Sequence, residues 1–194
     1  MKLQGIRIGF AVTGSFCTFA QAFSQAEYLT SQGAQLIPIF SEHAASISTR
    51  FGTAQAHVRR LEEICGRSAI LTIEDAEPIG PKNMTDIMAV VPCTANTAAK
   101  LALSITDGVV TMAVKSHLRG GKPVVLALAS NDALAGSLKN IGALANMRNY
   151  YFVPLRQDDV AKKPNSLVAD FSRTAETIEA ALDGIQLQPS VASA

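Results

Sequence analysis

The sequence contains little charge. Charged residues make up 17% of its 194 residues, against about a quarter in an average soluble domain, and 17 Lys and Arg nearly balance 16 Asp and Glu. Such a chain lacks the clustered positive charge that drives binding to nucleic acid, so we expect no nucleic-acid partner. Its apolar runs, such as residues 124–129, are far shorter than the ~20 residues that span a bilayer, so we expect no membrane segment.

Cysteine is also scarce. The chain has three cysteines, Cys17, Cys65 and Cys93. Their number is odd and they lie far apart in the sequence, so they indicate neither a disulfide framework nor a zinc site. No signal peptide is recognisable, because residues 1–8 carry charge and lead directly into a strand-like segment. We therefore expect no metal site and a reducing, cytoplasmic location.

Apolar residues make up 48% of the sequence and occur in short runs that alternate with helical patterns. Nearly continuous apolar strands between helices are typical of a parallel sheet covered on both faces. The sequence predicts an α/β fold with a doubly wound parallel sheet, in one domain over residues 1–194 with a flexible tail at 186–194. Predicted strands cover 7–12, 35–40, 87–91, 123–129 and 151–154, and predicted helices cover 16–32, 54–65, 96–105, 111–118, 132–147 and 172–182.

Polar and small residues follow these strands, at the sheet edge where ligands of such folds bind. After the first strand, Gly14 allows close backbone approach, Ser15 and Thr18 offer hydroxyls, and a helix N-terminus follows, a combination that suits an anion. Ser41, after the second strand, could reach the same anion. The alternative is a tight turn whose hydroxyls cap helices.

The segment after the third strand favours a flat, polar ligand. Asn96 offers an amide, Thr94 and Thr97 offer hydroxyls, and Ala95 is small enough for a ring to lie against the backbone. The alternative is again that Asn96 or Thr94 starts the helix.

Three residues are candidates for catalysis or substrate binding. His43 ends the second strand and could exchange protons. Arg156 and Lys163 lie in a polar segment, 156–166, which is either a carboxylate-binding clamp or a solvated connection.

Three segments carry a family resemblance: R-I-G-F-A-V-T-G-S-F-C (7–17), P-C-T-A-N-T-A-A-K-L-A-L-S-I-T-D (92–107) and K-P-V-V-L-A-L-A-S-N-D (122–132). They resemble the flavoprotein family of FMN-containing cysteine decarboxylases and related prenyltransferase-like proteins. The resemblance implies a Rossmann-like, flavodoxin-type three-layer sandwich that assembles as a trimer or dodecamer. A homo-oligomer also agrees with the scarcity of charge, since interfaces between copies would cover apolar surface.

The resemblance also implies roles for ten residues in binding FMN, or at least a phosphate group. Gly14, Ser15, Phe16 and Ser41 match the positions that hold the phosphate. The positions that approach the flavin ring match Thr94, Ala95, Asn96, Thr97, Ser130 and Asn131.

Three further segments, 47–52 (I-S-T-R-F-G), 76–82 (A-E-P-I-G-P-K) and 157–166 (Q-D-D-V-A-K-K-P-N-S), resemble one branch of the family. That branch oxidises a dihydropyridine dicarboxylate together with a second protein, which binds a nicotinamide dinucleotide such as NADP. Two alternatives are a non-catalytic scaffold for that second protein and a stand-alone FMN decarboxylase. The decarboxylases use an active-site histidine, and the nearest candidate, His57, lies in a context (Q-A-H-V-R-R) that does not match their motif.

Overall fold

A computed structural model of the chain describes residues 2–191. Within them the strands are β1 (Arg7–Val12), β2 (Gln35–Phe40), β3 (Ile87–Thr94), β4 (Val124–Ser130), β5 (Tyr150–Phe152), β6 (Leu155–Asp159) and β7 (Lys163–Ala169). The helices are α1 (Phe19–Ser31), α2 (Glu42–Ser46), α3 (Ala54–Cys65), α4 (Ile73–Ala76), α5 (Ala95–Ala102), α6 (Val109–Leu118), α7 (Leu138–Asn146) and α8 (Thr174–Leu182). Short 3-10 helices occupy Phe16–Thr18, Glu77–Ile79 and Phe171–Arg173.

The first five strands form a parallel sheet in the order β2-β1-β3-β4-β5. This is the flavodoxin-type order, in which the chain changes direction between β1 and β3. Nearly every residue of β1 and β3 is buried, because helices cover both faces of the sheet. The predicted doubly wound α/β fold is confirmed. No helix among residues 2–191 is long and apolar enough to cross a membrane.

The sheet has an antiparallel extension that the sequence did not predict. β6 and β7 form a hairpin, and β7 pairs antiparallel with Ala129 and Ser130 at the carboxyl end of β4. On the same edge of β4, β5 pairs with residues 124–126, in the amino-terminal half of that strand. The polar segment 156–166 was not predicted to form strands, because β6 and the first residues of β7 are largely exposed and polar, so no apolar alternation marks them.

Helix α7 begins later than expected, at Leu138 rather than near residue 132. The Asp132 carboxylate accepts hydrogen bonds from the Ser130 hydroxyl (2.6 Å) and the Ser137 hydroxyl (2.9 Å). These bonds hold residues 132–137 in turns. The last helix also begins later than predicted, at Thr174 rather than residue 172: the Ser172 N–H donates to the Asp170 carboxylate (3.2 Å), which caps the 3-10 helix before α8.

Residues 186–191, predicted to form part of a flexible tail, lie against the sheet. The Gln186 side-chain amide accepts from the Phe152 N–H and donates to its carbonyl, each at 2.8 Å. The Ser190 carbonyl accepts from the Leu155 N–H at 2.9 Å. The remaining residues of the predicted tail, 192–194, lie outside the described part of the chain.

His117 on α6 is buried between two hydrogen-bond partners. Its Nδ1 lies 2.7 Å from the Thr85 hydroxyl and its Nε2 lies 2.9 Å from the Pro123 carbonyl oxygen. The carbonyl can only accept, so Nε2 carries the proton and Nδ1 accepts from Thr85. Burial disfavours the imidazolium ion and lowers the His117 pKa to about 4.

We expect acid to destabilise the fold through His117. Because its pKa is lower in the folded chain than in the unfolded chain (about 6.5), the unfolded chain takes up the proton first as the pH falls. The free energy of unfolding should therefore decrease between about pH 6.5 and pH 4, by on the order of 3 kcal/mol. Urea unfolding at several pH values measures this. His117→Gln, which cannot titrate, should show a smaller decrease, and an equal decrease in both proteins would contradict the assignment.

Candidate functional site

The site lies where β1 and β3 end side by side. The buried Thr13 hydroxyl donates to the Pro92 carbonyl oxygen (2.8 Å) and accepts from the Thr94 N–H (2.9 Å). The Thr13 N–H also donates to the Pro92 carbonyl (3.2 Å). One residue thus joins the segment after β1 to the last residues of β3, at the point where the strand order reverses.

A first cavity of about 590 Å³ opens on one side of this junction, between α2, α5 and α6. We call it the first cavity, and its lining is Thr13, Gly14, Phe16, Ser41, Glu42, His43, Ile47, Thr94, Asn96, Thr97, Lys100, Asp107, Gly108, Val110 and Thr111. It brings together six of the ten predicted cofactor-binding residues: Gly14, Phe16, Ser41, Thr94, Asn96 and Thr97. His43, the proposed proton-exchanging residue, lies in the same wall. Ala95 is not among the lining residues.

Two predicted ligand-binding hydroxyls in the first cavity cap helices. Thr94 accepts from the Thr97 N–H (3.3 Å) at the start of α5, and its hydroxyl lies 3.1 Å from that of Thr97. Ser41 accepts from the Ala44 N–H at a long 3.4 Å. Capping was the alternative interpretation of Thr94, and it is confirmed there, whereas the Ser15 and Thr18 side chains, for which capping was also considered, accept no capping hydrogen bond. The Asn96 amide makes no hydrogen bond within residues 2–191, so it is available to a ligand.

The first cavity also contains two carboxylates, each with a partner. Glu42 Oε1 accepts from the Val109 N–H (3.0 Å) at the N-terminus of α6. Asp107 forms an ion pair with Lys100 (2.8 Å), and the hydrogen bond from Lys100 lowers the Asp107 pKa. With both carboxylates compensated, the cavity does not exclude an anionic ligand. Glu42 could not be identified as a site residue from the sequence, because it meets the N-terminus of α6 only once α6 packs beside α2.

A second cavity of about 450 Å³ lies on the other side of the junction, against the β6–β7 hairpin. We call it the hairpin cavity, and its lining is Gly14, Ser15, Cys17, Thr18, Gln21, Thr94, Ala129, Ser130, Asn131, Arg156, Asp158, Lys163, Ser166, Leu167 and Val168. Gly14 and Thr94 line both cavities. The hairpin cavity joins Ser15, Ser130 and Asn131 to the proposed clamp residues, whereas Ser41 lies in the first cavity. The predicted phosphate-binding residues are therefore divided between two neighbouring cavities.

The hydrogen bonds of Ser130 limit what it can offer a ligand. Its hydroxyl donates to Asp132 Oδ1 (2.6 Å) and accepts from the Asp132 N–H (3.2 Å). Asn131 and Ser15 have side chains without a hydrogen bond to any residue in the described part of the chain. In this cavity they, rather than Ser130, are the neutral groups available to a ligand.

Cys93 and His57 line neither cavity. Cys93 is fully buried, and burial raises the pKa of its thiol to about 12, so it is not a nucleophile. The His57 ring packs edge-on against the Phe19 ring, 4.9 Å between centroids, and burial lowers its pKa. Among the residues described, no group of three or more His, Cys, Asp or Glu side chains could hold a metal ion.

Comparison with known proteins identifies the family of this fold. The sequence pattern of the Flavoprotein family matches residues 1–184. The chain belongs to the Flavoprotein family. Within that family it is 44% identical to the B subunit of dipicolinate synthase from Bacillus subtilis (strain 168), over 97% of this chain and 94% of the relative.

Solved structures agree with this family assignment. The crystal structure of the B subunit of dipicolinate synthase from Bacillus halodurans matches with a TM-score of 0.91 and 39% identity, covering 100% of this chain and 99% of the other. A dodecameric FMN-dependent UbiX-like decarboxylase from Escherichia coli O157:H7 shares the fold, with a TM-score of 0.61 and 19% identity over 77% of this chain and 80% of the other. The predicted family and the flavodoxin-type fold are both confirmed.

Proposed function

We propose that the chain is the flavin-binding component of a dipicolinate synthase. In this proposal it takes part in oxidising a dihydrodipicolinate-type intermediate to dipicolinic acid, in the mother-cell cytoplasm of a sporulating bacterium. Its partner is the dinucleotide-binding A subunit of dipicolinate synthase, which supplies the NADP site. The observation that carries the proposal is the 44% identity to a B subunit of that enzyme over nearly the whole chain, combined with a polar cavity at the β1/β3 junction.

The first cavity fits FMN in size and in the groups it offers. Its volume of about 590 Å³ is within the usual range of cofactor pockets. A Cβ added to Gly14 would lie 3.7 Å from the Phe16 ring and 3.8 Å from the His43 Cβ, in ordinary van der Waals contact with two residues of the cavity wall. The Gly14 N–H donates to no acceptor in the described part of the chain.

In this assignment Gly14, Phe16 and Ser41 hold the phosphate of FMN, and Asn96 and Thr97 contact its ring. FMN, when bound, supplies a hydride acceptor. The chain's own residues do the rest: Thr13 fixes the two loops, Lys100 neutralises Asp107, and His43 is placed to exchange a proton. Arg156 and Lys163, in the adjoining hairpin cavity, hold the carboxylates of the substrate.

Of the two alternatives, the stand-alone decarboxylase is not supported by the geometry, because His57 packs against Phe19 outside both cavities. The scaffold alternative differs from our proposal in one observable, the binding of FMN, which the following experiment measures.

We expect Gly14→Ala to weaken FMN binding at least about tenfold, which corresponds to about 1.4 kcal/mol. The added methyl group would pack between Phe16 and His43 in the cavity wall and narrow the space for FMN, without straining the backbone, since Gly14 is not in the left-handed region. Titration of the purified chain with FMN, followed by flavin fluorescence, gives the dissociation constants. The matched control is Gly142→Ala on α7, where an added Cβ meets nothing within 4 Å. Wild-type protein that does not bind FMN would contradict the proposal, as would equal affinities for wild type and Gly14→Ala.

We further propose that the chain forms a homo-oligomer, as the dodecameric fold neighbour does. Four large apolar side chains at α5, α7 and the segments beside them are exposed: Leu103, Ile105, Leu134 and Leu138. Exposed apolar surface of this kind, on a chain with little charge, suits an interface between copies.

We expect Leu103→Glu to lower the molar mass of the particle measured by light scattering, because Leu103 is 67% exposed and would be covered in the assembly. The control is Val160→Glu at the tip of the β6–β7 hairpin, where the replaced side chain is similarly exposed at 64%. An unchanged mass in both variants, or a monomeric wild type, would refute this interface.

A further inference from the structure

The two cations of the hairpin cavity differ in their partners. Lys163 Nζ lies 2.6 Å from Asp158 Oδ2, and this hydrogen bond raises the Lys163 pKa, so the lysine stays charged. Arg156 has no acidic side chain within ion-pair distance among residues 2–191. The cavity therefore has one free cation and one cation already held by a carboxylate of the chain.

The hairpin itself brings Asp158 to Lys163. The pairing of β6 with β7 is irregular between Gln157 and Asp159, where the extra residues lie on β7, so Asp158 lies opposite a bulge in β7. β7 begins at Lys163, directly across the hairpin end. Arg156, two residues before Asp158 on β6, lines the same cavity.

The rest of the cavity wall is neutral. Ser15 and Gln21 come from the loop after β1 and from α1, and Asn131 follows β4. Asp158 is the one acidic side chain among the residues that line this cavity, beside two cations. A carboxylate placed here has two cations to contact, and Asp158 competes for one of them.

We propose that Asp158 is a specificity-determining residue, which occupies Lys163 in place of the second carboxylate of a small dicarboxylate ligand. Arg156 binds the first carboxylate, and the second displaces Asp158 from Lys163. The class of ligand rests on the proposed function, whereas the competition by Asp158 rests on the hairpin geometry.

The competition has a definite consequence for affinity. A monocarboxylate needs only Arg156, so its binding is nearly independent of the Asp158–Lys163 pair. A dicarboxylate must also break that pair to reach Lys163, which weakens its binding. Replacing Asp158 by Asn keeps the shape of the side chain and removes its charge, which should strengthen dicarboxylate binding selectively.

Cys17 provides a readout that does not depend on activity. Its exposed thiol lines the hairpin cavity, so a bound ligand should shield it from an alkylating reagent. Burial raises the pKa of Cys65 and of Cys93 to about 12, which leaves Cys17 as the reactive thiol of the folded chain.

The experiment measures the rate at which iodoacetamide alkylates Cys17 in the full chain, followed by peptide mass spectrometry. The added ligands are pyridine-2,6-dicarboxylate and pyridine-2-carboxylate. For Asp158→Asn, the dicarboxylate concentration giving half protection should fall about fivefold, the equivalent of one surface ion pair. The value for the monocarboxylate should change less than about twofold. Two further variants serve as controls. The double variant Asp158→Asn/Lys163→Gln should not show the stronger dicarboxylate protection of Asp158→Asn. Arg156→Gln should weaken protection by both ligands.

An equal shift for both ligands in Asp158→Asn would overturn the inference, because it would show a general charge effect. Absence of protection by either ligand would overturn it as well. FMN titration of the same preparations separates the two proposals. Normal FMN binding without dicarboxylate protection overturns only the role of Asp158, whereas selective protection without FMN binding contradicts only the flavin assignment.

Discussion

The site depends on the hydroxyl of Thr13. This buried group accepts the Thr94 N–H and donates to the Pro92 carbonyl, so it joins the ends of β1 and β3 directly. At this position the strand order reverses, which is where ligands of such folds bind. Both cavities are built from these loops and share Gly14 and Thr94 as a wall.

The two cavities differ in chemistry because different elements complete them. Helices α2, α5 and α6 complete the first cavity, where Glu42 and Asp107 are compensated by a helix N-terminus and by Lys100. The β6–β7 hairpin completes the other, with Arg156 and Lys163. The FMN that we propose for the first cavity would lie beside a cationic cavity, an arrangement that suits the proposed redox chemistry on a small carboxylate.

Much of this could be predicted from the sequence, because buried parallel strands leave a clear apolar pattern and their carboxyl ends meet at one edge. That reasoning located Gly14, Asn96 and Asn131 correctly at the edge. It could not divide them between two cavities, because Gly14 and Thr94 form the common wall only in three dimensions. The hairpin was missed since its strands are exposed and polar. The role of Asp132, which uses up the hydrogen bonds of Ser130, depends on turn geometry that spacing alone does not reveal.

The most direct test of the account compares FMN affinity in Thr13→Val and Thr13→Ser by flavin fluorescence titration. Valine has the shape of threonine without the hydroxyl, so it leaves the Thr94 N–H without a partner and the Pro92 carbonyl with only the Thr13 N–H, whereas serine keeps the hydroxyl. The account predicts that Thr13→Val loses at least about tenfold in FMN affinity and about 1–3 kcal/mol in stability, while Thr13→Ser stays close to wild type. Wild-type affinity in Thr13→Val would contradict it.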